Sequence, residues 1–202
     1  MEYDEILNKL TDERLYAQEN FIPIIRSESA KFLYDYVRDN GFCNVLEVGT
    51  AIGYSGSLIL SAGAEVLETI DINENSLQVA RNVFDRLGFG SRVKIYNNDA
   101  RIVLKEMVAS GKKFDMIFLD GAKGQYINYL PDLKKLLYTG GVIFADNVLL
   151  QGLVESKDKI PHRKRTMVVN LRRYLQEVSD GCFETELIRL EDGIAISKYK
   201  GE

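Results

Sequence analysis

Five short apolar runs in this chain end in acids or amides: Glu47, Asp71, Asp99, Asp120 and the pair Asp146-Asn147. Two carboxylates and an amide oxygen, from Asp120, Asp146 and Asn147, form a hard donor set suited to Mg²⁺, which keeps several waters and takes its remaining ligands from substrate. Lys123 stands three residues past Asp120. Beside a divalent cation an amine gives up its proton more readily, so this lysine is a candidate general base, whereas by default a lysine is a solvated surface group. Any one of these acids alone could be a loop or cap residue. Their joint placement points to a metal site.

A second chemistry lies nearer the N-terminus, in Asn44 to Gly56, Asn-Val-Leu-Glu-Val-Gly-Thr-Ala-Ile-Gly-Tyr-Ser-Gly. The apolar run Val45, Leu46, Val48 is short enough for a buried strand, Gly49 and Gly53 space a turn, and small and apolar residues continue as a helix to Gly63. Such a loop lets a ligand approach the main chain. It lacks the dinucleotide spacing, because Ala51 and Tyr54 occupy places where that fingerprint needs glycine. Glu47 would repel a pyrophosphate but attract the ammonium of an amino-acid moiety. The expected ligand is therefore S-adenosylmethionine (SAM), with Asp71 at the end of the next strand placed to accept ribose hydroxyls. Asp99, just past the third strand, is placed either to accept from an adenine amino group or to cap the following helix.

The elements that position these groups alternate. Strands are expected at the Val45, Leu46, Val48 run and over 65–71, 92–97, 114–120 and 142–145, with helices after Gly53 up to Gly63 and from about 75–87, 100–108 and 126–137 between them. A helix around Thr166 to Val178, with Val168, Leu171 and Leu175 inward, precedes two runs, Phe183 to Leu190 and Ile194 to Tyr199, which read as an antiparallel hairpin across Glu191-Asp192-Gly193. The fold class is thus α/β: a Rossmann-like, doubly wound, seven-stranded sheet, mostly parallel, with helices on both faces. One domain is expected over 1–202, with cover helices in 1–40 and the core in 44–202. In the first part, Thr11 is expected to cap a second helix and Ser27 a third, from Glu28 to Asp39, stopped by Gly41.

Glu47-x-Gly49-Thr50-x-x-Gly53-Tyr54-Ser55, Asp120-x-x-Lys123 and Asp146-Asn147 resemble the motifs of the class I, SAM-dependent O-methyltransferases of the catechol and caffeoyl-CoA type. The resemblance covers roughly Pro23 to the C-terminus. It implies that Glu47 and Ser55, with Gly49 and Gly53, hold the methionine part of SAM, Asp71 the ribose and Asp99 the adenine. It implies that Asp120, on the border of the cofactor and metal sets, binds Mg²⁺ or Mn²⁺ with Asp146 and Asn147. Lys123 then deprotonates a hydroxyl that is methylated by an SN2 displacement. A homodimer is also implied.

The 202 residues are 46% hydrophobic and 28% charged, with a net charge of −4, which argues against a protein that coats nucleic acid generally. The cations are unevenly spread: Lys157, Lys159, Arg163, Lys164, Arg165, Arg172 and Arg173 cluster with Asp158 as the one acid among them. This segment follows the Asp146-Asn147 strand, so Arg163, Lys164, Arg165 and Arg172 are candidate phosphate contacts. It favours, as acceptor, a 5-hydroxyuridine at the tRNA wobble position, whose 5-OH lies beside the C4 carbonyl and which some bacterial members of the family methylate. The alternatives are small catechols or caffeoyl-CoA-like esters, and a non-catalytic SAM-fold module that binds a partner. The acidic start and the lack of an apolar run near 20 residues lead to the expectation of a cytoplasmic protein with no membrane span. Cys43 and Cys182 read as buried thiols and His162 as a surface residue.

Overall fold

The computed structural model describes residues 1–201. It contains seven strands in one sheet, in the order β3-β2-β1-β4-β5-β7-β6. By its contacts the chain forms two compact units, Met1–Val103 and the residues from Leu104 onward.

The first unit opens with three helices, α1 (Tyr3–Lys9), α2 (Thr11–Glu19) and α3 (Ser27–Asn40), followed by β1 (Asn44–Val48), α4 (Tyr54–Ala62), β2 (Val66–Asp71), α5 (Glu74–Arg86) and β3 (Val93–Asn97). All of α6 but its first turn, Ala100–Ala109, lies past this unit. The strands β1, β2 and β3 are parallel, with Glu47 opposite Thr69 and Asp71 opposite Asn97. Every residue of α4 is buried, as its mix of small and apolar side chains allows for a helix packed all round. It packs against β2, α1 and α3.

Local capping departs from the sequence reading in two places. Thr11 is the first residue of α2, and its hydroxyl donates back to the Leu7 and Asn8 carbonyls at 3.3 and 2.9 Å instead of capping forward. Ser27 already lies inside α3, whose N-cap position is Arg26 with no side-chain cap. Gly41 does stop α3, in a left-handed conformation with φ +63°. Asn73, not singled out from the sequence, caps α5 by accepting from the Asn75 and Ser76 amides.

The second unit contains β4 (Phe114–Leu119), α7 (Tyr126–Leu136), β5 (Leu137–Ala145), α8 (Arg165–Ser179), β6 (Phe183–Ile188) and β7 (Ile194–Tyr199). β4 and β5 are parallel, whereas β7 runs antiparallel to both β5 and β6, so the expected hairpin closes the edge. β5 begins five residues earlier than its buried Val-Ile-Phe-Ala core suggests: Leu137 pairs with Phe114, and an irregularity follows before Val142 pairs with Met116. In α8 the inward residues are Val168, Leu171, Tyr174 and Val178, and Leu175 is only half-buried. Tyr174 takes that place by stacking edge-on against Tyr126, ring centroids 5.6 Å apart.

Candidate functional site

The first unit gathers a carboxylate, three hydroxyls and a tight loop at the carboxyl ends of its strands. Glu47 is fully buried, and its charge is met by short hydrogen bonds: Ser55 Oγ donates to Oε1 at 2.5 Å and Thr69 Oγ1 to Oε2 at 2.6 Å. The Thr69 proton being engaged, the 2.6 Å contact with Thr50 Oγ1 is a bond donated by Thr50. Thr69 does not stand out in the sequence, and Thr50 does so only as part of the Gly49-to-Ser55 motif, without this role. The available signal was register, since Thr69 is the residue directly opposite Glu47 on β2.

Gly49 to Gly53 curl over the end of β2. Gly49 takes φ +110° and donates to the Ile70 carbonyl at 2.9 Å, and Gly53 takes φ +79°. At Gly53 a Cβ would also sit 3.1 Å from Phe84 Cζ, and at Gly56 one would sit 2.7 Å from Leu67 Cδ2 and 3.1 Å from Glu47 Oε2. Glycine therefore permits both the turn and the close approach of α4 to the buried carboxylate. The Asp71 carboxylate organises the loop by accepting from the Ala51 amide at 2.8 Å and the Asn73 amide at 2.9 Å, which leaves lone pairs on both oxygens. Asp99 takes the helix-cap position: its Oδ1 accepts the Arg101 amide at 2.8 Å. The Arg101 guanidinium grips the same carboxylate, the chief cause that holds its pKa down at about 2.

The second unit carries the other set. Asp120 follows β4, and Lys123 opens a single 3₁₀ turn, Lys123–Gln125, that leads into α7. That spacing puts Lys123 Nζ 3.0 Å from Asp120 Oδ1, with the two side chains 22% and 17% exposed. Burial raises the Asp120 carboxyl pKa, outweighing the Lys123 charge that lowers it. Asp146 follows β5 and is 1% exposed. Its amide donates to the Leu119 carbonyl at 3.1 Å, and its Oδ1 accepts the Asn147 amide at 2.8 Å. Among the described residues its buried Oδ2 has no hydrogen-bond partner. Burial, and next the Asp120 charge, push this carboxyl up to about 7. Asn147 adopts φ +55°, and Leu150 and Gln151 are left-handed as well, so the chain turns sharply as it leaves β5.

A buried carboxylate oxygen without a donor, near a second acid and next to an asparagine, fits a hard divalent cation. Among the described residues no group of three or more His, Cys, Asp or Glu side chains is gathered for a metal. The candidate set therefore depends on the Asn147 amide oxygen as well as the two carboxylates.

The basic segment is divided in its roles. Arg163 and Arg165 are exposed. Lys164 donates to Gln151 Oε1 at 3.0 Å, and the Arg172 guanidinium donates to the carbonyls of Val154 and Ser156, both at 2.7 Å, and of Leu153 at 3.3 Å. Arg172, expected at phosphates, thus fastens the segment that follows Asn147. His162 is exposed, as expected, whereas the thiols of Cys43 and Cys182 are half-buried and not buried.

A family model described as O-methyltransferase matches residues 1–200. The chain belongs to the O-methyltransferase family. It is 30% identical over 183 residues to caffeoyl-CoA O-methyltransferase 1 of Arabidopsis thaliana, covering 85% of this chain and 70% of that one. A solved Staphylococcus aureus structure, 28% identical, superposes with a TM-score of 0.85 over 98% of this chain and 93% of its own. An O-methyltransferase of Streptomyces achromogenes solved with SAM superposes with a TM-score of 0.86 over 96% and 90%, at 24% identity a likeness of fold. This member is a SAM-dependent O-methyltransferase of the caffeoyl-CoA type, with the seven-stranded mixed sheet of that fold. None of its described helices is long and apolar enough to cross a membrane.

Proposed function

We propose that this O-methyltransferase uses Mg²⁺ or Mn²⁺ to methylate one hydroxyl of a vicinal oxygen pair on a small catechol or caffeoyl-CoA-like ester. The observation that carries the metal is the buried, partnerless Oδ2 of Asp146. When bound, SAM would supply an electrophilic methyl on a sulfonium, and the cation would supply Lewis acidity that makes the acceptor hydroxyl more acidic. Glu47, with the Ser55 and Thr69 hydroxyls fixing its carboxylate, attracts the ammonium of the methionine part, and Gly49 and Gly53 let that part lie against the main chain. Asp71 has lone pairs for the ribose hydroxyls, and Asp99, whose oxygens are held by Arg101, would exchange part of that grip for the adenine amino group. Asp120, Asp146 and Asn147 hold the cation. Lys123 takes the acceptor proton: with Asp120 committed to a cation, its amine loses its counter-charge, the setting in which it serves as a base.

The small acceptor is supported by the named substrate of the caffeoyl-CoA relatives and by the commitment of Lys164 and Arg172 to the fold itself. The second reading, 5-hydroxyuridine in tRNA, is favoured by the exposed Arg163 and Arg165, which have the charge to meet phosphates. Labelled SAM offered with catechols, caffeoyl-CoA and hydroxyuridine-containing tRNA separates the two. Label is expected in the small acceptors, with catechol rates within about twofold for an Arg163→Glu, Arg165→Glu double variant, because a catechol carries no phosphate for those charges to meet. Label confined to tRNA, and lost on charge reversal, would replace the small-acceptor reading with the tRNA one.

A further inference from the structure

We infer that Tyr126 is a positioning residue for the metal site, locking the peptide between Asp146 and Asn147 in the one orientation that aims both side chains as ligands. This inference rests on the metal reading proposed above. Tyr126 is the first residue of α7, and its ring is fully buried. Its hydroxyl lies 2.9 Å from the Leu119 carbonyl oxygen and 3.2 Å from the Asp146 carbonyl oxygen, a single proton shared between two acceptors. Those carbonyls immediately precede Asp120 and Asn147 in the chain. The tyrosine therefore ties the ends of β4 and β5 to the start of the helix that follows Lys123.

The Asp146 carbonyl belongs to the same peptide plane as the Asn147 amide, and that amide is held at its other end by Asp146 Oδ1 at 2.8 Å. Both polar ends of the plane are thus pinned, the oxygen by Tyr126 and the N–H by the carboxylate. Pinning has a purpose here, because Asn147 sits at φ +55°, a left-handed conformation that asparagine tolerates better than other non-glycine residues but that competes with the ordinary right-handed ones unless it is held. Rotation of this peptide would turn the Asn147 side chain to a new direction. It would also break the bond that leaves Oδ1 satisfied and Oδ2 open. The Leu119 carbonyl keeps the Asp146 amide as a donor whatever Tyr126 does, whereas among the described residues the donor to the Asp146 carbonyl is the phenol. Loss of the hydroxyl should therefore be felt at Asp146-Asn147 more than along the rest of the sheet.

Tyr126→Phe removes the hydroxyl and keeps the ring against Tyr174. Outer-shell partners of metal ligands typically contribute 10- to 100-fold in metal affinity. In the intact chain, Mn²⁺ binding followed by electron paramagnetic resonance is expected to weaken about tenfold or more. SAM affinity measured by calorimetry should stay within about twofold, because the SAM residues belong to other strand ends, and kcat should largely recover at saturating metal. Tyr174→Phe deletes the neighbouring buried hydroxyl and should leave Mn²⁺ affinity unchanged even where it lowers the melting temperature. Mn²⁺ affinity equal to wild type in Tyr126→Phe, or weakened equally in both variants, overturns the inference. Should Tyr126→Phe fail to fold, Tyr126→4-fluorophenylalanine fills the hydroxyl's space without donating and is read the same way. If the wild-type chain itself binds no Mn²⁺, it is the metal reading that fails, and the role given to Tyr126 fails with it.

Discussion

Asp146→Asn should reduce methyl transfer by about a thousandfold or more while raising the melting temperature of the metal-free protein. The loss follows from removing one of two carboxylates that hold a Lewis acid worth several kcal/mol to the transition state, with each tenfold in rate near 1.4 kcal/mol. The gain follows from burial. The carboxyl is 1% exposed and has a second acid nearby, and folding moves it from 3.8 up to about 7. The native state then binds this proton more tightly than the unfolded chain. Stability is lost as pH rises through that window, with the full penalty above about 7. Allowing for a proton shared with Asp120, the penalty at pH 8 is about 2 kcal/mol, or roughly 4–8 °C in a chain of this size. The amide keeps an oxygen for the Asn147 N–H, so the turn survives the substitution. Scanning calorimetry in EDTA at pH 8 should find the variant melting higher, with most of the difference gone by pH 5. A lower melting temperature at pH 8 would mean that the buried charge is compensated within the protein.

Lys123→Met should lower kcat by roughly 10²- to 10⁴-fold, the usual contribution of a placed general base, with SAM affinity unchanged. Methionine matches the four-atom stem of lysine and lacks its amine. The variant also deletes the cation 3.0 Å from Asp120, so metal affinity should hold or tighten. That combination separates a base from a structural ion pair, whose loss would loosen the Asp120 carboxylate and weaken the metal. Single-turnover transfer of labelled methyl at saturating SAM and metal checks it, the variant's rate being expected at least a hundredfold below wild type. A variant rate within threefold of wild type would leave Lys123 as a partner of Asp120 and nothing more.

What could be read from the sequence divides along physical lines. Buried parallel strands read as continuous apolar runs, so β1, β2 and β4 and the acids at their ends were visible from residue type alone. The hairpin was visible because Glu191-Asp192-Gly193 interrupts two alternating runs. Groups whose role depends on what lies opposite were not. Thr69 matters because register sets it against Glu47, and Tyr126 because its hydroxyl reaches two carbonyls, one of them twenty residues away. Thr11 and Ser27 are cap formers by type, but the chain begins each helix one residue earlier, so their hydroxyls lie inside the first turn. Arg172 was taken for a phosphate contact from charge clustering, which carries no information about the carbonyls within reach of its guanidinium. Leu175 lost its inward place to Tyr174 because a helix with 3.6 residues per turn leaves either position free to face the core, and the larger ring fills it.

The most direct test of a cation held by Asp120, Asp146 and Asn147 is methyl transfer from labelled SAM to a catechol acceptor by EDTA-stripped protein, before and after Mg²⁺ is returned. Transfer is expected at background in EDTA and at full activity once Mg²⁺ is restored. Undiminished transfer by the stripped protein would contradict it.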